Sequence, residues 1–108
     1  MLQGLVFGII FRKAAISRFA RTLATMFGSG VPLVDGLESV AGATGNRVYS
    51  DGCISIREVV SGGQSLSRAM SQTGLFPSMI LQMTSTGEES GELETMLNKA
   101  ADFYEREV

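Results

Sequence analysis

The sequence predicts an all-α fold, and more narrowly an antiparallel bundle of six helices. Along most of the chain, apolar residues recur at the i, i+3, i+4, i+7 spacing of amphipathic helices. Corners of only a few residues, rich in glycine or containing proline, separate these runs, and short corners place successive helices side by side. The composition of 44% apolar residues, six methionines, 13 glycines and no tryptophan favours a compact helical core over a β-sandwich.

The first two predicted helices flank a glycine corner at residues 28–30. The first runs from about Lys13 to Phe27. The second has Pro32 in its first turn, where proline is tolerated, and extends to about Ala43. The residues expected to face the core are Ile16, Phe19, Ala20, Leu23 and Phe27 in the first helix and Leu33, Leu37, Val40 and Ala41 in the second.

Three further helices are predicted over residues 46–60, 65–72 and 78–86. The first of them contains a β-branched cluster that would also suit a strand, but the helical spacing of its apolar residues favours a helix: Tyr49, Cys53, Ile56 and Val60. Between the last two, Leu75-Phe76-Pro77 is expected to interrupt the helical pattern and to close one end of the core with its apolar side chains.

Residues 87–93, Gly-Glu-Glu-Ser-Gly-Glu-Leu, are predicted to form the corner between the fifth and sixth helices. We call them the corner motif. Gly87 is expected to end the fifth helix with a positive φ, and Ser90 to cap the sixth with its hydroxyl. Gly91 would then open the last helix, and Leu93 would begin its apolar stripe, which continues through Met96, Leu97, Ala100, Phe103 and Tyr104.

Charge is distributed unevenly, although the net charge is only −2. Residues 12–21, from the end of the N-terminal arm into the first helix, carry four basic residues: Arg12, Lys13, Arg18 and Arg21. Four carboxylates cluster at or beside the corner motif: Glu88, Glu89, Glu92 and Glu94. Solvated helix faces would account for both clusters, and Glu92 and Glu94 would offset the macrodipole in a first turn. A more specific interpretation is that the basic residues face phospholipid headgroups and that the acidic residues contact a protein partner.

The residue types give no catalytic constellation, so we expect no enzyme activity and no cofactor. The net charge excludes a strongly basic nucleic-acid footprint. Cys53 is the single cysteine and histidine is absent, which excludes an intramolecular disulfide and a Cys/His metal set; Cys53 is expected to be a small buried hydrophobe. The corner carboxylates could in principle ligate a cation such as Ca²⁺, but they lack the spacing of a calcium loop.

Residues 1–12 are predicted to form an apolar arm outside a domain of residues 13–108. The apolar run is too short to span a bilayer, and it lacks the features of a signal peptide. Gly4 and Gly8 argue against a stable helix, so the arm is expected to pack on the domain or lie near a membrane surface.

Several segments, in order, resemble a known family. They are Phe19–Met26 with Gly30–Leu33, Gly62 with Ser65–Met70, and Leu75–Pro77 with the corner motif. They are similar to a cytoplasmic domain of the inner-membrane platform protein of type IV pili and type II secretion. The similarity runs from about Lys13 to Val108, and residues 41–46 are more similar to the second of the two copies of this domain that the family carries.

The resemblance implies a non-enzymatic six-helix scaffold domain, excised from a longer protein whose other segments cross the membrane. It further implies a place at the cytoplasmic face of the bacterial inner membrane, self-association, and partners that include an assembly or retraction ATPase, other platform components, and pilin or pseudopilin. The alternative is a soluble helical adaptor or regulatory module with no membrane link.

Overall fold

A computed structural model describes the backbone of residues 2–108 and the side chains from residue 12 onward. The six helices are α1 Leu2–Gly28, α2 Leu33–Ala43, α3 Arg47–Ser61, α4 Leu66–Thr73, α5 Ser78–Ser90 and α6 Leu93–Arg106. Residues 2–108 contain no strand, so the all-α prediction with six helices is confirmed and the strand alternative for α3 is wrong. The antiparallel arrangement stays a prediction.

The helices contact one another in a closed ring. Each helix packs against its neighbours in the sequence, and α6 returns to pack against α1 in the most extensive of these contacts. All six helices contribute buried apolar side chains to one core. Phe76, from the break before α5, is buried with them, its ring centroid 4.9 Å from that of Phe19 and 5.6 Å from that of Tyr49. The break therefore helps to close the core, as predicted.

Helix α1 begins at Leu2 rather than near Lys13. The expectation that Gly4 and Gly8 prevent a helix is wrong. Each glycine costs only about 1 kcal/mol relative to alanine, and extending a helix that is already packed needs no new nucleation. The packing expected for the arm concerns side chains of residues 1–11, which lie outside the described side chains. Within the part of the chain that was described, no helix is both long and apolar enough to cross a membrane.

Two aromatic residues predicted to face the core are exposed. Phe27 is 39% exposed and Phe103 is 44% exposed. Phe27 lies in the last turn of α1, where the flanking residues from Gly28 to Gly30 are also exposed. On α6, Ala100, Ala101 and Tyr104 take the buried face, which turns Phe103 outward. The predicted helical period is therefore correct in both helices, but each predicted buried face includes one aromatic residue that is exposed.

Candidate functional site

Gly91, rather than Gly87, ends α5. Gly91 has a left-handed backbone with φ +78°, and the Glu92 N–H donates to the Gly87 carbonyl at 2.9 Å across the turn. Ser90 lies in the last turn of α5, where its hydroxyl donates to the Thr86 carbonyl at 2.8 Å. The prediction that Ser90 caps α6 is therefore wrong, because a hydroxyl used inside α5 is not available to the next helix.

Gly87 has a packing role within α5 instead. It is buried, and a Cβ atom at this position would lie 2.8 Å from the Cα of Leu93 and 3.2 Å from the carbonyl oxygen of Glu92. Both contacts are with backbone, so a side chain could not be accommodated by a rotamer change. Gly87 thus allows α5 and α6 to approach closely at the corner, and Leu93 packs inward there as predicted.

Glu88 joins the corner to the start of α4, the helix before α5 in the chain. Its carboxylate accepts hydrogen bonds from the backbone N–H groups of Leu66 at 2.7 Å and of Ser67 at 3.0 Å. These are two of the N–H groups that the first turn of α4 leaves without a helical partner, and the Ser65 hydroxyl accepts a third, from Arg68, at 3.2 Å. Glu88 therefore serves as a capping group for α4 supplied by α5, a contact that the sequence analysis missed.

The other three corner carboxylates are on the surface. Glu89, Glu92 and Glu94 are exposed, and none belongs to an ion pair found among the described side chains. Glu94 lies in the first turn of α6, as predicted, and its carboxylate packs against the backbone of Gly28. Glu92 is instead the N-cap residue, and its side chain makes no capping hydrogen bond. Negative charge therefore remains available to solvent at the corner.

A shallow groove of about 250 Å³ lies between the end of α1, the start of α2 and the corner motif. We call it the corner groove. Its lining is mainly apolar or without side chains: Phe27, Leu33, Gly87, Glu88, Gly91 and Leu93. It is the place where the unexpectedly exposed Phe27 meets the corner motif.

Arg21, one of the four basic residues of α1, faces α6. Its guanidinium donates to Asn98 at 2.9 Å, to Glu105 at 3.0 Å, and to Asp102. The hydrogen bond between Arg21 and Asp102 lowers the pKa of Asp102 and raises that of Arg21.

The remaining basic residues differ in their surroundings. Lys13 pairs with Glu107 at 3.0 Å, so it too faces the acidic end of the chain. Arg18 is exposed and donates to the Thr44 carbonyl at 3.4 Å, beside the end of α2, and Arg12 is exposed. The opposite charges of the first and last helices were visible in the sequence and could have indicated that these helices are neighbours.

Two buried ionisable groups lie in α3. Burial raises the pKa of Cys53 to about 12, which agrees with the predicted role of a small buried hydrophobe. Burial also raises the pKa of Tyr49 to about 12, and its hydroxyl donates to the Leu75 carbonyl. In the part of the chain that the structure covers, no three His, Cys, Asp or Glu side chains lie close enough together to hold a metal ion.

The fold and the corner define an all-helical domain whose surface features, an acidic cluster beside an apolar groove, suit contacts with other proteins. Residues 19–108 match the family described as type II secretion system (T2SS), protein F, and the chain belongs to that family. The resemblance found in the sequence is thereby confirmed.

Individual relatives come from both kinds of machine. The chain is 52% identical over 103 residues to the type IV pilus assembly protein PilC of Pseudomonas aeruginosa, a match that covers 95% of this chain and 28% of the relative. It is 47% identical to PilC of Myxococcus xanthus, covering 95% and 25%. It is 42% identical over 97 residues to the type II secretion system protein F of Vibrio cholerae, covering 90% and 24%. The chain thus spans about a quarter of the length of these relatives.

Proposed function

We propose that this chain is a non-enzymatic cytoplasmic scaffold domain in the inner-membrane platform of a type IV pilus or type II secretion machine. In this role it couples a motor ATPase to the assembly of pilin or pseudopilin, with its six helices in an antiparallel bundle and with self-association into a larger platform. Family membership supports the assignment to these machines. Because the chain spans about a quarter of its relatives, the role concerns one domain of a longer assembly.

The contact with the motor ATPase is proposed at the acidic corner. The observation that carries this is the exposure of Glu89 and Glu92, neither of which has an ion-pair partner among the described residues. Glu88 contributes less to the contact, since its carboxylate is already bonded to α4. Uncompensated charges at an interface mainly increase the association rate and the specificity for an oppositely charged partner.

The test is a pulldown of the cognate assembly ATPase by this chain. The variant Glu89→Lys/Glu92→Lys changes the charge of the corner by the same amount as the control Asp51→Lys/Glu58→Lys, which replaces two exposed acids of α3. We expect the corner variant to lose the ATPase and the control to retain it, with both folded by circular dichroism. Equal retention by the two variants would contradict a motor contact at this corner.

A membrane-facing basic surface is part of the same proposal. It is centred on Arg12 and Arg18, which are exposed, because Lys13 and Arg21 are paired with α6. Arginines near an anionic leaflet contribute about 1 kcal/mol each to binding.

Cosedimentation with vesicles tests this surface and separates the proposal from a soluble adaptor without a membrane link. We expect binding to phosphatidylglycerol-containing vesicles, little binding to pure phosphatidylcholine, and a loss of binding in Arg12→Glu/Arg18→Glu. The control Arg47→Glu/Arg68→Glu changes two exposed arginines of α3 and α4 by the same charge. If neither vesicle binds, or if the two variants behave alike, the adaptor is favoured.

A further inference from the structure

We propose that the corner groove receives one apolar side chain from a basic segment of a partner protein. The inference rests on the proposed function in so far as that partner is the assembly ATPase, and it adds the chemistry by which the corner recognises it. The groove supplies an apolar contact at the centre, and the surrounding carboxylates select a basic sequence around it.

The apolar part of the site is built from three helices. Phe27 is 39% exposed at the end of α1, and Leu33 and Leu93 line the groove from the starts of α2 and α6. On the α5 side, Gly87 and Gly91 contribute no side chain, and Glu88 is the charged residue of the lining. The exposed ring of Phe27 beside residues without side chains gives an incoming apolar side chain a surface to pack against.

The volume of the groove favours a single side chain over a small-molecule ligand. Pockets for cofactors and drug-sized ligands typically enclose about 300–1,000 Å³. The corner groove encloses about 250 Å³ and is shallow. An anchor residue on a longer peptide segment is the kind of occupant that fits, because the rest of its binding surface lies outside the groove.

Charge complementarity selects a basic segment. Glu94 lies against Gly28, next to Phe27, and Glu92 lies in the turn between the groove residues Gly91 and Leu93, with Glu89 in the last turn of α5. None of these three takes part in an ion pair between described side chains. The acidic residues at the other end of α6 differ, because Asp102, Glu105 and Glu107 already pair with α1. The corner is thus the acidic surface whose charge is left for a partner.

A larger groove, between α3 and α4, lacks this combination. It encloses about 400 Å³, and Asp51 is the only charged residue of its lining among the described side chains. It therefore has no charge pattern that would select one class of partner, and it provides a reference surface for the experiment.

The first experiment uses defined peptides, so that it does not depend on the ATPase. Amide chemical shifts of the ¹⁵N-labelled chain are followed during titration with a pentapeptide that carries one phenylalanine between two lysine pairs. We expect saturable shifts centred on Gly87 and Gly91. Binding should be at least fivefold weaker for the peptide with alanine in place of phenylalanine, and absent for the peptide with glutamates in place of lysines. Equal binding of the first two peptides, shifts centred on the α3–α4 groove, or no shifts at all would each overturn the proposal.

The second experiment returns to the ATPase. Phe27→Ala should weaken capture of the ATPase at least tenfold, as truncation of a central anchor contact does. The matched control Ile54→Ala removes an apolar side chain that is 46% exposed on α3 and should leave capture unchanged. If Phe27→Ala has no effect while the Glu89→Lys/Glu92→Lys variant loses the ATPase, the groove proposal fails and the proposed function stands. If neither change matters, the motor contact lies elsewhere and both fail.

Discussion

The carboxylate of Glu88 should contribute more to the stability of the fold than any other carboxylate of the corner. It accepts two backbone hydrogen bonds, at 2.7 Å and 3.0 Å, from the first turn of α4. Replacing Glu88 with alanine would leave both N–H groups without this partner. Hydrogen bonds to a charged group are worth about 1.5–3 kcal/mol each, and a carboxylate at a helix N-terminus adds about 0.5 kcal/mol. Because Glu88 and Ser67 are only half-buried, water would replace part of this, and the expected net loss is about 2 kcal/mol.

Chemical denaturation at neutral pH, with thermal unfolding as a second measurement, tests this estimate. A loss of about 2 kcal/mol corresponds to a fall in Tm of about 8–16 °C for a domain of this size. Glu88→Gln keeps one acceptor oxygen, so its free energy of unfolding should fall by about half as much as that of Glu88→Ala. Glu89→Ala removes the neighbouring exposed carboxylate and should stay within about 0.5 kcal/mol of the parent. If Glu88→Ala and Glu89→Ala were equally stable, the proposed cap on α4 would be refuted.

Three further predictions concern glycine packing, a buried hydroxyl and ionisation. Gly87→Ala should destabilise the fold, because the new Cβ would lie 2.8 Å from the backbone of Leu93. In Gly42→Ala the new Cβ would have no neighbouring atom within 4 Å, so this variant should stabilise α2 by about 0.5–1 kcal/mol. The midpoints of urea unfolding measure both effects. Thr84→Val should stabilise by about 1 kcal/mol in the same assay, because the fully buried Thr84 hydroxyl finds no hydrogen-bond partner among the described residues; a loss would indicate a missed partner. Burial raises the pKa of Cys53 from 9.0 and that of Tyr49 from 10.0, each to about 12, so the unfolded chain releases protons that the folded chain keeps. The stability that these two protonated groups contribute should therefore be fully present below about pH 9 and be lost as the pH rises toward 12. In Cys53→Ala the loss should begin nearer pH 10, and a flat alkaline profile would contradict this.

The helices were predictable because their signal is local. A buried face repeats every three to four residues, so the stripes of α1 to α6 are visible in the sequence without knowledge of the partner helix. The width of each stripe is not local, since it depends on how far the neighbouring helix covers it. Phe27 and Phe103 lie at the margins of their stripes, and both were predicted to be buried although they are exposed.

At the corner motif, too, the sequence alone does not decide the structure, because the end of α5 depends on the packing of α5 against α6. Gly87 and Gly91 are one helical turn apart, and either could have ended α5 by sequence criteria. The choice depends on which glycine faces α6 closely, and this distance exists only after α5 and α6 have packed. The bond from Glu88 to α4 spans 22 residues in sequence at its longest, so no local pattern would reveal it. The pairing of α1 with α6 was at least suggested by their opposite charges.

The positions of the corner motif divide into two groups, and the division determines which variants can report on a partner. The first group has a role inside the fold, in close packing, capping, a hydrogen bond within α5, chain reversal or core formation: Gly87, Glu88, Ser90, Gly91 and Leu93. A loss of function after a change at one of these five is expected from damage to the corner alone, and it carries no information about an interface. Glu89 and Glu92 have no such role among the described contacts. A partner that binds here must therefore be detected through these two carboxylates and through Phe27 at the adjoining end of α1, where a folded variant can still lose its contact.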